Sequence, residues 1–133
     1  LRARELRSHP EQRSQQVYPL LKGLRVVECA SFIAAPSCAL HMRQLGAEVI
    51  RIDPIGGGPD FKRWPISGEG HSYYWEGLQK GKKSIAIDLR KREGRDLALR
   101  LITAPGEQSG IFLTNFPKTA FSRMSGCPRS GRT

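Results

Sequence analysis

Cysteine and histidine are scarce in this sequence, and both are widely dispersed. The 133 residues contain three cysteines, Cys29, Cys38 and Cys127, and three histidines. No CxxC pair or Cys/His cluster is present, which excludes a zinc site of the usual spacing and a disulfide framework. An odd number of cysteines is typical of free thiols in a reducing compartment. We expect Cys29 and Cys38 to be small buried hydrophobic residues rather than nucleophiles.

Long apolar runs and a secretory signal are also missing. No stretch reaches the ~18 apolar residues that a membrane-spanning helix requires. The first residues (LRARELRSHPEQRSQQ) are polar, and Glu5 and Glu11 argue against an organellar presequence. We therefore expect a cytoplasmic protein with no membrane partner. The chain begins with Leu1 rather than Met, which we interpret as the start of a fragment.

Acidic residues are in the minority. Twelve Asp and Glu stand against 22 Lys and Arg, which gives a formal net charge of +10. Residues 1–25 and 117–133 each carry +4, so the middle of the chain is nearly balanced. A nucleic-acid-binding domain would carry its basic face on the folded body. We interpret the charged ends as solubilising tails; a basic nucleic-acid-binding or interaction module and a non-functional fragment are the alternatives.

Hydrophobic periodicity predicts alternating strands and helices. The predicted strands are 24–28, 47–52, 84–89 and 110–114, and the predicted helices are 36–45 and 92–103. Pro36 suits the first turn of a helix and Gly46 suits its end. Short connections through helices imply parallel pairing by right-handed crossovers. The predicted fold class is α/β, the N-terminal part of an open, mainly parallel, Rossmann-like sheet. We expect it to be incomplete, because two helices cannot cover both faces of four strands.

Composition divides the chain into three parts. Residues 1–19 form a polar leader, residues 20–117 the α/β domain, and residues 118–133 a divergent tail. The leader and the tail lack an apolar period, so we predict that both are disordered. Inside the domain, the aromatic-rich segment up to Lys82 shows no clear element, and loops of this length are often functional. We expect it to pack on its own domain or on a partner subunit rather than to stack bases.

Two glycine-rich segments match phosphate-binding loops only in part. Gly56, Gly57 and Gly58 lack GxGxxG spacing, so a flexible turn is the favoured interpretation. The GLQKGK segment has one residue too few for a P-loop and leads into a strand, which excludes that motif. Basic clusters before and after the third strand would suit a polyanion such as nucleotide phosphates, and solvated strand ends are the alternative. These clusters are Lys80, Lys82, Lys83 and Arg90, Lys91, Arg92.

Several motifs in a fixed order resemble those of a known family. They are the LKGLRVVE strand, an A-x-P helix start, LGAEVIRIDP with a glycine loop, the GKKSIAIDL strand, and TNFP after the fourth strand. Over residues 20–117 they resemble the N-terminal portion of the family III CoA transferases, the CaiB/BaiF family. The sequence is similar in particular to an intramolecular subgroup, which moves CoA between the two carboxyls of one branched dicarboxylate.

The resemblance implies a covalent mechanism. In the family, an aspartate attacks the acyl-CoA thioester, giving a mixed anhydride and then an aspartyl-CoA thioester, from which the acceptor carboxylate takes the CoA. That nucleophile lies downstream of the matching region, and Asp53, Asp60, Asp88 and Asp96 do not match it. We therefore expect no catalytic residue in this chain and no activity from it alone. The implied ligands are coenzyme A, as acyl-CoA, and a small carboxylic acid, with no metal. The resemblance also implies a homodimer of the full-length enzyme.

Part of a CoA site can be carried over by motif. The carried-over residues are Ala34, Ile87, Asp88, Leu89, Arg90, Asn115, Phe116 and Arg123. The resemblance implies main-chain contacts to the adenine-ribose side at Ala34, a CoA-lining role for residues 87–90, and phosphate contacts from Arg90 and Arg123. Asn115 and Phe116 correspond to the motif near the pantetheine.

Two positions depart from the family pattern. Pro54 stands where some relatives have a basic residue, so one phosphate contact is in question, and Thr114 replaces the usual Glu.

Overall fold

A computed structural model describes residues 18–106 and 110–117. Four strands alternate with three helices along this part of the chain. The strands are β1 (Arg25–Glu28), β2 (Glu48–Asp53), β3 (Lys83–Ala86) and β4 (Ile111–Leu113). The helices are α1 (Ala34–Gln44), α2 (Tyr73–Leu78) and α3 (Arg92–Ile102), and short 3-10 turns occupy Pro19–Leu21 and Pro59–Lys62. None of these helices in the described ranges is long and apolar enough to cross a membrane.

The strands form one open, parallel sheet in the order β3-β2-β1-β4. Val27 at its centre pairs with Ile50 of β2 on one side and Phe112 of β4 on the other. All three pairings are parallel, as expected when each strand returns through a helical crossover. The predicted α/β class with an open parallel sheet is confirmed.

Helices cover the two faces of the sheet with separate hydrophobic clusters. Successive residues of a strand point to opposite faces, so neighbouring valines of β1 enter different clusters. The face under α1 is formed by Val26, Ala39, Ala47 and Val49. The face under α3 is formed by Val27, Cys29, Ile52, Ile87 and Ala98. Each face is therefore aliphatic and tightly buried near the middle of the sheet.

The segment between β2 and β3 is more regular than the sequence predicts. It contains the Pro59–Lys62 turn and the six-residue helix α2. Ser72 caps α2, because its Oγ accepts from Trp75 N at 3.4 Å and donates to Arg63 O at 2.7 Å. A helix of fewer than two turns shows no reliable apolar period, so periodicity alone could not reveal it. The prediction that this segment lacks an element is wrong.

One further expectation, that Cys38 is buried, needs correction. Strand β3, which lies between the two basic clusters, is an edge strand and most of its residues are exposed. Cys29 is buried as expected, whereas Cys38 lies on the exposed side of α1. Helical periodicity predicts which residues share a side of the helix. When the apolar side is broad, periodicity does not determine which of those residues contact the sheet.

Helix α1 ends as the glycine predicts. Gly46 has φ +104°, a left-handed conformation that glycine adopts without steric cost. A Cβ at this position would also lie 2.8 Å from the carbonyl oxygen of Tyr18, so the turn packs closely against the segment before β1. Tyr18 N in turn donates to Gln44 O at 2.9 Å. Apart from Tyr18 and Pro19, the predicted leader and tail lie outside the described residues.

Candidate functional site: a cleft at the carboxyl edge of the sheet

A cleft of about 450 Å³ opens where β1, β2 and β3 end. In open α/β sheets, ligands bind at the carboxyl ends of the strands, where loops diverge. Three loop segments and one aromatic side chain form its walls. They are residues 29–31 after β1, residues 51–55 with 58 and 59 at and after β2, residues 87–90 after β3, and Phe116. Thus five of the predicted site residues, Ile87, Asp88, Leu89, Arg90 and Phe116, line one cleft.

Arg90 lies at the rim of the cleft and is paired with Asp88. Its Nε donates to Asp88 Oδ1 at 2.8 Å and its Nη2 to Asp88 Oδ2 at 3.1 Å. These hydrogen bonds lower the pKa of Asp88 and raise that of Arg90 above its usual value. The Arg90 side chain is 89% exposed. A guanidinium has five N–H donors, so it can contact an anion while still paired with Asp88.

The turn that carries Arg90 is held by its neighbour on α3. Arg95 Nη1 donates to the carbonyl oxygen of Arg90 at 2.7 Å and to that of Leu89 at 3.3 Å. Gly94 lies so close to this turn that a Cβ there would overlap the carbonyl group of Asp88. The absence of a side chain at Gly94 therefore allows α3 to approach the segment that lines the cleft.

Asn115 supports the cleft wall rather than lining it. Its Oδ1 accepts from Ser31 N at 3.1 Å, and its Nδ2 donates to Ser31 O at 2.6 Å. The side chain thereby bonds the backbone of Ser31 much as a neighbouring strand would. Asn115 joins the end of β4 to the loop after β1, which is one wall of the cleft.

The remaining two predicted residues are not brought into the cleft by the described structure. Ala34 is the first residue of α1 and is exposed, and it does not belong to the cleft lining. Arg123 lies outside the described residues. The A-x-P helix start nevertheless follows directly on the loop that Asn115 holds.

The basic residues before β3 do not face the cleft. The Lys82 side chain is 1% exposed, and its Nζ donates to Glu28 Oε2 at 2.8 Å and to Pro36 O at 2.9 Å. Lys83 is exposed and pairs with Glu48 at 2.5 Å. The two ends of a strand lie at opposite edges of a sheet, so the two basic clusters cannot act on one small anion. Of the six residues, only Arg90 lines the cleft.

A buried ionic network at the wall of the cleft escaped the sequence reasoning. Arg51 is 2% exposed and donates to Glu28 at 2.7 Å and to Asp53 at 2.8 Å. Ser84 Oγ donates to the second oxygen of Asp53 at 2.7 Å. The Arg51 guanidinium also lies 5.2 Å from the ring centroid of Trp75 in α2. The sequence did contain a signal for this network. Arg51 and Asp53 are two residues apart in β2, so strand alternation places both charged side chains on the same face of the sheet.

Burial shifts the pKa of two groups near this network. Burial raises the pKa of the Cys29 thiol to about 11, and Asp53 and Glu28 add to that rise. Burial lowers the pKa of Lys82, and its hydrogen bond to Glu28 opposes that change. A thiol with a raised pKa is a poor nucleophile at neutral pH, which agrees with the expected structural role of Cys29.

Known proteins match this chain over the region that builds the cleft. The family model for CoA-transferase family III matches residues 21–127. This chain belongs to CoA-transferase family III. The family expected from the motif order is therefore confirmed. An open parallel sheet with loops converging at its carboxyl edge is the part of the family III fold that the described residues build.

Curated members of family III include close matches. The 2-methylfumaryl-CoA isomerase of Chloroflexus aurantiacus is 59% identical over 99 residues, which cover 74% of this chain and 24% of that protein. The succinyl-CoA–D-citramalate CoA-transferase of the same organism is 40% identical over 83 residues, 62% of this chain and 21% of that protein. The chain thus spans about a quarter of the length of the curated relatives it matches.

A solved structure agrees with the sequence matches. The crystal structure of a CaiB/BaiF family protein from Brucella suis superimposes with a TM-score of 0.67 at 33% identity. The match covers 82% of this chain and 29% of that chain. The 59% identity to 2-methylfumaryl-CoA isomerase agrees with the subgroup resemblance that the motifs indicate.

Proposed function

We propose that this chain forms the CoA-binding part of an enzyme that moves CoA between the carboxyl groups of an acyl-CoA and an acid. The observation that carries the proposal is the cleft, in which five residues of the family motifs meet at the carboxyl edge of a family III sheet. Its volume of about 450 Å³ is within the range of small-molecule sites. The 59% identity favours a reaction of the 2-methylfumaryl-CoA isomerase type, in which donor and acceptor carboxyls belong to one molecule.

The cleft offers both positive charge and apolar surface to such a ligand. Arg90 at the rim supplies the positive charge that a CoA phosphate requires. Ile87, Leu89 and Phe116 supply apolar surface for the pantetheine arm. Asn115 acts through Ser31 by fixing the loop after β1, which forms another part of the wall.

We also propose that the aspartate nucleophile lies outside this chain, which would be a fragment without transferase activity. Within the described residues, Asp53 and Asp60 are buried and already held by arginine side chains. Asp88 lines the cleft, but both of its oxygens accept hydrogen bonds from Arg90. Asp96 lies on α3 beside Arg92, with its side chain 66% exposed. None of these carboxylates is free to attack a thioester in the cleft.

The full-length enzyme would be a homodimer in this proposal. The segment between β2 and β3 exposes large aromatic side chains, including Trp64 at 81% and Tyr73 at 60%. Exposed aromatic surface of this kind is typical of subunit contacts.

Isothermal titration of the 133-residue chain with CoA tests the proposed ligand. We expect saturable binding that weakens about tenfold or more in Arg90→Ala, because a charge-assisted contact to phosphate is lost. Arg100→Ala removes the same charge from an exposed position on the last turn of α3 and should bind as the wild type does. Absence of binding, or equal affinity of the Arg90→Ala variant and the wild type, contradicts the site.

Mass spectrometry of the chain after incubation with 2-methylfumaryl-CoA tests the absence of a nucleophile. An aspartyl-CoA thioester would increase the mass of the protein by the mass of CoA less one water. We expect no such adduct. An adduct that disappears in Asp88→Asn would instead identify Asp88 as the nucleophile and refute the proposal for this chain.

A further inference from the structure

We propose that Asp60 and Arg63 are positioning residues that fix the cleft wall after β1 by clamping Phe32. This inference rests on the proposed function, because it concerns the loop that would meet CoA. The wall itself is formed by residues 29–31, and Phe32 is the next residue along the chain. Neither Asp60 nor Arg63 lines the cleft, so their effect on a ligand must pass through this loop.

Phe32 has a backbone conformation that needs outside support. Its φ is +66°, and among the described residues it is the one non-glycine residue with a positive φ. For a bulky side chain this conformation is an outlier, and it persists only where surrounding contacts determine it. The Phe32 ring is half exposed, so burial of the ring in the core does not supply that support.

Asp60 and Arg63 supply the missing contacts. Asp60 Oδ2 accepts from Phe32 N at 2.9 Å, and the Arg63 guanidinium lies 4.0 Å from the Phe32 ring centroid. The two clamping residues also bond each other, since Arg63 Nε donates to Asp60 Oδ1 at 3.0 Å. Asp60 is 2% exposed, so this carboxylate meets its partners away from water, where such bonds are strong.

The loop is thus held from two separate elements. Asn115, after β4, bonds both backbone groups of Ser31. Asp60, in the Pro59–Lys62 turn, bonds the backbone of the adjacent Phe32. The segment between β2 and β3 therefore has a role in shaping the cleft, although only its first residues line it. Loss of the clamp should leave the wall mobile and lower the fraction of molecules competent to bind CoA.

Amide hydrogen exchange and CoA titration on the full 133-residue chain test the clamp together. Asp60→Asn keeps the shape of the side chain but has one oxygen for two donors. We expect the Phe32 amide to exchange at least tenfold faster, and the affinity for CoA to fall about tenfold. Asp96→Asn, which neutralises an exposed carboxylate on α3, is the matched control and should change neither measurement.

A second variant separates positioning from general loss of structure. Glycine adopts φ +66° without strain, so Phe32→Gly should make the loop less dependent on Asp60. We expect Asp60→Asn to weaken CoA binding less than threefold in the Phe32→Gly background, against tenfold in the wild type. An equal loss in both backgrounds, or unchanged Phe32 exchange in Asp60→Asn, overturns the clamp. Failure of the wild-type chain to bind CoA refutes the proposed function, whereas the exchange measurement still decides whether Asp60 fixes the wall.

Discussion

The two faces of this sheet are stabilised by different physics. The face under α3 is apolar throughout, from Val27 in the central strand β1 to Ile87 just after the edge strand β3. The face under α1 is aliphatic only near the start of the strands and becomes ionic at their ends, where Glu28, Arg51 and Asp53 point inward. The apolar face depends on burial of area, whereas the ionic end depends on matched partners. The comparison shows that a single strand can contribute to both faces, because its successive side chains point in opposite directions.

The ionic end also organises the segment between β2 and β3. Arg51 contacts the ring of Trp75 in α2, and Lys82 joins Glu28 to the first turn of α1. The described charges are balanced in this cluster, with three cations against three carboxylates. The cations are Arg51, Arg63 and Lys82, and the carboxylates are Glu28, Asp53 and Asp60. A balanced set lowers the cost of burying charge near a cleft that must itself stay open.

The largest expected effect comes from substituting two adjacent residues of β2 that lie on opposite faces of the sheet. Arg51→Met leaves Asp53 buried without its cation and Glu28 with Lys82 alone, which should cost about 4 kcal/mol of unfolding free energy. Ile52→Val, on the opposite face, removes one methylene group and should cost about 1 kcal/mol. Urea denaturation of both variants measures the difference. Similar costs for the two would show that the ionic end is dispensable.

Two neighbouring lysines sharpen the same contrast. Lys82 has a side chain 1% exposed, and Lys83 one 71% exposed, although each pairs with a glutamate. We expect Lys82→Met to cost about 3 kcal/mol because Glu28 is left buried with one partner fewer. Lys83→Met should cost at most about 0.5 kcal/mol, since an exposed ion pair is screened by water. When denaturation is repeated in low and high salt, only the cost of Lys83→Met should change, because salt screens an exposed ion pair.

Two helical glycines distinguish close packing from open space. Gly94→Ala places a Cβ against the carbonyl group of Asp88, so we expect a cost of about 2 kcal/mol. Gly77→Ala in α2 meets nothing within 4 Å and should stabilise the chain by about 0.5 to 1 kcal/mol. Thermal denaturation measures both shifts. A stabilised Gly94→Ala variant would mean that α3 can move away from the cleft at little cost.

The effect that is smallest at neutral pH concerns the apolar face and develops only at alkaline pH. The pKa of Cys29 rises from 9.0 to about 11 on folding, so the thiol contributes stability that is complete below pH 9 and lost as pH rises toward 11. We expect a loss of about 2 kcal/mol over that window, because the unfolded chain ionises first. Cys29→Ala should remove this part of the slope. Cys38→Ala, which removes an exposed thiol, should retain it.

Local pattern was sufficient for much of the fold. The β-branched run at Val26 and Val27, the alternation around Val49 and the glycine after α1 predicted parallel strands and a helix between them, and the structure agrees. These signals are local, because a strand or helix needs only its own periodicity to be recognised. Helix α2 was missed since six residues contain too little of a period, and its cap at Ser72 depends on Arg63, nine residues earlier.

The site divides in the same way. Motif order predicted residues 87–90 and Phe116, which do line the cleft. It did not reveal that Asn115 acts through Ser31, or that Lys82 forms an ion pair with Glu28, because both contacts depend on which segments meet in space.

By itself, the sequence determined the class of fold, the order of the strands along the chain and the family, since these follow from periodicity and motif spacing. Only the tertiary structure decided which charges are buried together and which remain available at the cleft. The pairs that Arg51 forms with Glu28 and Asp60, and that Lys82 forms with Glu28, join residues distant in sequence, so they depend on how the chain packs at this end of the sheet. The local spacing of residues in the sequence does not indicate which of these long-range pairs will form.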